Sequence, residues 1–295
     1  MKTVGSNINI NRLRSYANIL TNSTFNSIVR NNRLDYVHSK IIKYDRAFIN
    51  KNSPSYSEYF SYLYDCLAAS YRNEYVYKNL IINKILLGRY SLTTTTALNE
   101  FHINNSIADL VLINGTSKVF EIKTELDKPD RLSTQISDYR KVFKHIYIVT
   151  HHSLQDKYLK ILDHGIGLIV LTKQLSLRTI REAETNNFLD NSVIMKSLRK
   201  PEYINIIKKY YGSLPETTDF KFYSACKKMI QEIPSDELHE LMSWELKKRV
   251  IKEQQIFAST LVPHELKHIC LCLDFNRKDY QRLNDILSRK IININ

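Results

Sequence analysis

Two carboxylates and an amine fall close together in the stretch from Ile107 to Tyr139, IADLVLINGTSKVFEIKTELDKPDRLSTQISDY: Asp109, then Glu121 and Lys123, followed by Gln135 and Tyr139. Converging carboxylates offer hard oxygen ligands that suit Mg2+ or Mn2+, ions that keep several waters and also accept phosphate oxygens. Such an ion offsets the charge building on a phosphate and acidifies a bound water, and a neighbouring lysine can hold that water or help deprotonate it for in-line attack. The chemistry expected of this group is phosphodiester hydrolysis.

That chemistry requires one particular hairpin. Strand side chains alternate, so Glu121 and Lys123 emerge on one face about 7 Å apart while Phe120 and Ile122 face the other way. On the preceding strand Leu110 and Leu112 pack with Phe120 and Ile122, leaving Asp109 on the opposite face. For Asp109 to stand beside Glu121 the loop must hold an odd number of residues, most simply Asn114-Gly115-Thr116. Asn114-Gly115 is itself a two-residue turn signal, and in that register Asp109 would pair with Phe120. A one-residue slip inverts every side chain, so burial of the four apolar residues selects the three-residue loop.

Asp109 with Glu121-Ile122-Lys123 resembles the PD-(D/E)XK nuclease superfamily, whose signature is an Asp on one strand and Glu-x-Lys on the next. Gln135-Ile136-Ser137-Asp138-Tyr139 is similar to the QxxxY helix of the RecB and lambda-exonuclease branch. With Asp127 and Asp130-Arg131-Leu132 the run also resembles a poorly characterised bacterial family within that superfamily. The resemblance covers about residues 70–172 and implies an α/β fold, a mixed sheet flanked by helices. It further implies Mg2+ (or Mn2+) held by Asp109, Glu121 and the backbone carbonyl of Ile122, and cleavage of nucleic acid. DNA is expected over RNA because that branch mostly processes DNA, and analogy suggests phage defence or mobile-element biology. Such enzymes often take a further Glu from an early helix, for which Glu74 is the first choice and Glu100 the reserve. Ala108 stands where the superfamily name has Pro.

Each of these residues also has an ordinary role to weigh. Asp109 can end a strand, and Glu121 with Lys123 can be a solvated pair. Glu74 with Lys78 is a common i,i+4 helix pair, and Gln135 with Tyr139, one turn apart, can simply pack. Arg131, Arg140, Lys141 and Lys144 can meet phosphates or face water. Tyr56, Tyr59, Tyr62 and Tyr64 can stack on bases, although such a stripe more often packs helices. A second chemistry is written in His264-Glu265-Leu266-Lys267-His268, an H-E-x-x-H that on a helix presents two imidazoles to zinc and implies a metallopeptidase. Lys267 beside a dication and the lack of an obvious third ligand, beyond Cys270, Cys272 or Asp274, weigh against it. His151-His152, after a strand, can line a cleft or cap a loop, and the loop is favoured. A third reading is a nucleic-acid-binding module that keeps the fold without turnover.

The whole chain supports a polyanionic partner. Its 295 residues carry 43 Lys+Arg against 30 Asp+Glu, a net charge of +13, which favours nucleic acid through counterion release. The excess is spread along the chain rather than held in a tail. Four cysteines, Cys66, Cys226, Cys270 and Cys272, are too few for a disulfide framework and fit a reducing cytoplasm. MKTVGSNINI lacks an apolar leader, and no window reaches the length of a membrane span, so a cytoplasmic protein without membrane contact is expected.

Helical spacing over 1–55, closed by a linker at Lys51-Asn52-Ser53-Pro54-Ser55, predicts an N-terminal helical region. Residues 56–172 are expected to form the nuclease core: helices at 56–70 and 71–87, strands over 92–124, then strand, helix and strand through 142–150, 154–162 and 165–172. From Lys173 the pattern predicts helices to the end, with a break at Gly212-Ser213-Leu214-Pro215, so 173–295 reads as a helical C-terminal domain. Its basic pairs Lys208-Lys209 and Lys227-Lys228 and the run Lys247-Lys248-Arg249 would hold substrate, a protein partner or a second copy.

Overall fold

The hairpin carrying the acidic pair closes in the register that burial selects. Ile113 pairs with Ser117 and Leu110 with Phe120 in an antiparallel ladder, leaving Asn114-Gly115-Thr116 as the loop. Gly115 lies at φ 66°, where a residue without Cβ meets no steric cost. Leu110, Leu112, Phe120 and Ile122 are all buried.

The computed structural model describes residues 8–127 and 130–292. The N-terminal stretch through Asn7, part of the segment read for a leader, lies outside them. Six strands form one mixed sheet in sequential order: β1 (Thr96–Ile103), β2 (Ser106–Asn114), β3 (Thr116–Lys123), β4 (His145–His151), β5 (Gly167–Leu171) and β6 (Leu177–Arg181). β1, β2 and β3 run antiparallel, β3, β4 and β5 parallel, and β6 antiparallel to β5. The parallel steps need crossovers, supplied by helices Leu132–Arg140 and Gln155–Ile161. β5 is buried along its whole length, as expected of a strand covered on both faces. The fold is therefore α/β with a mixed sheet.

β6 is a departure from the helical expectation beyond Lys173. Leu177-Arg178-Thr179-Ile180-Arg181 alternates for only five residues, too few to stand out, and it is recruited because a tight return donates Thr172 N–H to the Ser176 carbonyl at 2.9 Å.

The chain divides into two compact units, Met1–Gly88 with Ile251–Asn295, and Arg89–Val250. The boundaries expected at 55/56 and 172/173 are thus displaced. The segment 51–55 is not a free linker: Ser55 caps helix Tyr56–Ser70 in a reciprocal capping box with Glu58, and it bridges Lys290 near the C-terminus. Ile291 N–H donates to the Pro54 carbonyl at 2.9 Å, so the last helices belong with the first. The predicted C-terminal domain is accordingly split, residues 173–250 packing with the sheet. No hydrophobic periodicity encodes which helices share a core.

In the first unit the tyrosine stripe packs helices. Tyr56, Tyr59 and Tyr64 are buried, and Tyr62 stacks on Phe48 at 4.2 Å. Buried Asp45 accepts the hydroxyls of Tyr16 at 2.6 Å and Tyr59 at 2.7 Å and pairs with Arg12. A buried carboxylate held by three donors is the expected way to keep such a charge in a core.

Candidate active site

Glu121 sits near the C-terminal end of β3 at 2% exposure, and three side chains donate to it. Lys123 Nζ reaches Oε1 at 2.7 Å and Gln135 Nε2 reaches the same oxygen at 2.6 Å. Tyr139 donates its hydroxyl to Oε2 at 2.6 Å. Lys123 Nζ also donates to Gln135 Oε1 at 2.9 Å, closing a ring of carboxylate, ammonium and amide. One helical turn separates Gln135 from Tyr139 on helix Leu132–Arg140, so both project towards one strand end. Burial first, then the charge and hydrogen bond of Glu121, and the charge of Asp109, push the Tyr139 phenol far above its ordinary range. It therefore stays a donor.

Asp109 joins from β2. Its Oδ2 accepts the backbone N–H of Ile122 at 2.8 Å, so a side chain takes the place of a ladder partner as β2 and β3 part. N–H and C=O of one extended residue point to the same side, which directs the Ile122 carbonyl towards Asp109 as well. The residue across from Asp109 on β1 is Glu100, with left-handed backbone at φ 52°. Strict alternation also fails here: Phe101, Ile103 and Ala108 share one apolar core with Leu98 and Val111, three residues away along their strands. Asp109 thus occupies a kink that the sequence pattern does not reveal.

The positioning contacts lie further out. Asp138 accepts from Asn104 Nδ2 at 3.0 Å and Ser106 Oγ at 2.7 Å, tying the Gln135–Tyr139 helix to the β1–β2 turn. Burial would raise the Asp138 pKa, but those hydrogen bonds and Lys141 hold it below its usual value. Thr150 Oγ1 donates to the Lys123 carbonyl at 2.6 Å, fixing the end of β3 to β4. Thr124 N–H and Oγ1 both donate to Asp127 Oδ2 at 2.8 Å, turning the chain away immediately after the site. The sequence pattern includes Asp127, and Asp138 only as a filler position between Gln135 and Tyr139; nothing periodic points to Asn104, Ser106 or Thr150.

The family described as bacteriophage P4 protein cII matches residues 68–272, well over half of the chain. The chain belongs to the bacteriophage P4 protein cII family. Protein cII of Enterobacteria phage P4 is 25% identical over 124 residues, which cover 40% of this chain and 47% of that protein. The chain thus spans about half the length of this relative. A protein of unknown function from Silicibacter pomeroyi aligns over 42% of this chain and 86% of its own, at 13% identity and a TM-score of 0.28.

Other expected site residues of this cII-family chain carry contacts of their own. Glu74 lies in the first unit, where it pairs with buried Lys78 one helical turn away. Arg131 is exposed at the start of its helix, but three expected phosphate contacts carry ion pairs: Arg140 with Asp163 at 2.7 Å, Lys141 with Asp138 at 3.4 Å and Lys144 with Asp236 at 2.5 Å. Half-buried His151 caps the short helix His152–Leu154 and lies 3.0 Å from Glu125.

The H-E-x-x-H run does not form a zinc-binding face. His264 lies in a 3-10 turn, His264–Leu266, with its ring 3.0 Å from Glu265 and edge-on to Tyr64. His268 is buried in the following helix against Tyr75, its Nε2 3.3 Å from Cys272 Sγ. Buried Lys267 donates to the carbonyls of Phe257 and Ser259 instead of facing solvent. Among the described residues no group of three or more His, Cys, Asp or Glu is arranged to hold a metal. For a hard divalent ion the donor set at β2 and β3 is two carboxylates, Asp109 and Glu121, with the Ile122 carbonyl. That fits Mg2+, which commonly takes one or two carboxylates and leaves its other positions to water and phosphate. None of the four cysteines is in a disulfide, and no helix among the described residues is long and apolar enough to cross a membrane.

Proposed function

We propose that this cII-family chain is a metal-dependent nuclease acting on DNA in preference to RNA. The observation that carries the reading is the convergence on Glu121 of Lys123, Gln135 and Tyr139 at 2.6–2.7 Å, with Asp109 anchored on the adjacent Ile122 amide. Burying a carboxylate and an ammonium together at a strand end carries a desolvation cost for which stability alone gives little reason. Asp109, Glu121 and the Ile122 carbonyl would hold the ion, which when bound neutralises phosphate charge and acidifies water. Lys123 holds the attacking water, Gln135 keeps the lysine aligned, and Tyr139 orients the second Glu121 oxygen. The net charge of +13 favours the substrate electrostatically. Kinship with a phage protein is compatible with a role in mobile-element biology or defence in the cytoplasm, with a partner or second copy on the helices after the sheet.

One observation favours a second reading, a nucleic-acid-binding module without turnover: both Glu121 oxygens are already taken by donors of the chain itself, and the described residues offer two carboxylates rather than three at this site. The two readings separate when linear, circular and single-stranded DNA and RNA are incubated with Mg2+, Mn2+ or EDTA. The nuclease reading expects divalent-dependent digestion abolished in Asp109→Ala and Lys123→Ala proteins. Binding without digestion by wild type supports the second reading, and equal digestion by wild type and both variants overturns the site.

A further inference from the structure

Trp244 is the one tryptophan of the chain and remains 40% exposed near the end of helix Ser235–Leu246. A large ring left in water gains nothing from burial, so its surroundings decide its use. Two ammonium groups from different elements cover it: Lys209 Nζ lies 3.7 Å from the ring centroid and Lys248 Nζ 3.4 Å. Both lysines are exposed. Two like charges so close to one ring repel each other and are held there by its π face. Glu245, next to Trp244 in sequence, is 2% exposed on its side chain and accepts Lys248 Nζ at 2.6 Å, with Asn205 Nδ2 at 3.4 Å. Exposed Glu240 stands one turn before Trp244 on the same helix.

The patch is remote from the acidic cluster. His239 of the same helix meets Ser117 at the start of β3, and Thr96 Oγ1 of β1 donates to the Lys247 carbonyl at 3.1 Å, so this helix is fastened to the hairpin end of the sheet. From Ser117 to Lys123 the strand covers six steps, about 20 Å at the rise of an extended chain.

We propose that Trp244, Lys209 and Lys248 form a binding patch for an unpaired nucleic-acid strand, one base stacking on the indole while the two lysines move from the ring to the flanking phosphates. Charge complementarity selects the occupant: exposed aromatic and cationic groups together match a ligand that alternates π faces with anions, whereas a duplex hides its base faces. The proposal rests on nucleic acid being the substrate of the reading above, but not on catalysis.

Because the chain has a single tryptophan, its fluorescence reports this patch alone. The full-length protein in EDTA is titrated with oligo-dT, oligo-rU, a duplex of equal length and heparin, while anisotropy of labelled oligo-dT follows binding independently. The expected result is saturable quenching by the single strands, with dT and rU separating DNA from RNA, and little quenching by duplex or heparin. The Trp244→Ala and Lys209→Ala/Lys248→Ala proteins, with circular dichroism and melting as folding controls, should bind oligo-dT about tenfold more weakly, the lysine variant with a shallower salt dependence. Anisotropy that shows binding without quenching, and unchanged in both variants, overturns the patch and leaves the nuclease reading intact. Equal quenching by heparin overturns base stacking. Absence of binding in either measurement overturns the patch, and if the cleavage assay is also negative the nuclease reading falls with it.

Discussion

Tyr139 and Glu121, eighteen residues apart, meet at 2.6 Å in the core of the sheet-bearing unit, the phenol donating to a carboxylate that water barely reaches. The same hydroxyl lies 3.0 Å from the Ile107 carbonyl, so one side chain spans β2 and β3 where they separate. Tyr139→Phe keeps the ring and removes the donor. A hydrogen bond to a charged group is worth about 1.5–3 kcal/mol, and a loss of that size is expected in urea unfolding, with any divalent-dependent cleavage reduced in parallel. A stability change near zero would show that the contact is not formed in solution.

Glu100 is held at φ 52° across from Asp109. Left-handed backbone costs a residue with Cβ about 1–2 kcal/mol, part of which glycine returns through its greater freedom when unfolded. Glu100→Gly should therefore raise stability by about 0.5–1 kcal/mol, and Glu100→Ala should not, as read from thermal melts. Loss of cleavage in the alanine variant at unchanged stability would instead assign the carboxylate to the reaction.

His239 is buried with Nε2 2.7 Å from Ser117 Oγ. Burial first, then Lys144 and His145 against Asp236, lower its pKa from 6.5 to about 4. The unfolded chain takes up the proton before the folded one does, so the contribution of this ring is intact above pH 6.5 and is lost as pH falls towards 4. At 1.36 kcal/mol per unit the loss approaches about 3 kcal/mol. Urea midpoints of wild type and His239→Gln across pH 7 to 4 should converge as the pH drops; parallel curves would contradict the assignment.

Arg249 grips buried Glu202 with Nε and Nη2, each at 2.7 Å. Removing one partner of such a pair leaves an uncompensated charge and typically costs 3–5 kcal/mol, an upper bound of about 3 applying here because Arg249 is partly exposed. Arg249→Ala should be markedly destabilised, and adding Glu202→Gln should recover part of the loss. A double variant less stable than the single would contradict that account.

Much of the candidate site is legible in the chain. Alternation around Leu110, Leu112, Phe120 and Ile122 selects the hairpin loop over the stronger local turn signal at Asn114-Gly115, because a slip would turn Leu110 and Leu112 to the opposite face from Phe120 and Ile122. The spacing of Gln135 and Tyr139 puts both on one helical face aimed at one strand end, and the strand–helix–strand rhythm leads to the mixed sheet. These are local features, set by the two- and 3.6-residue periods of the backbone.

What only the tertiary structure decides depends on contacts between residues far apart in sequence. The kink at Glu100 and Asp109, the fastening of Asp138 to Asn104 and Ser106, the return strand β6 and the pairing of Ser55 with Lys290 have no periodic signature. The same holds for His264 and His268: a motif spacing that suggests a metal site is dispersed because a 3-10 turn breaks the helical face and the second imidazole is drawn into a core. Periodicity specifies which face of an element is apolar, whereas the choice of neighbour is made by the packing of whole elements, where polar groups find partners only once those elements have met.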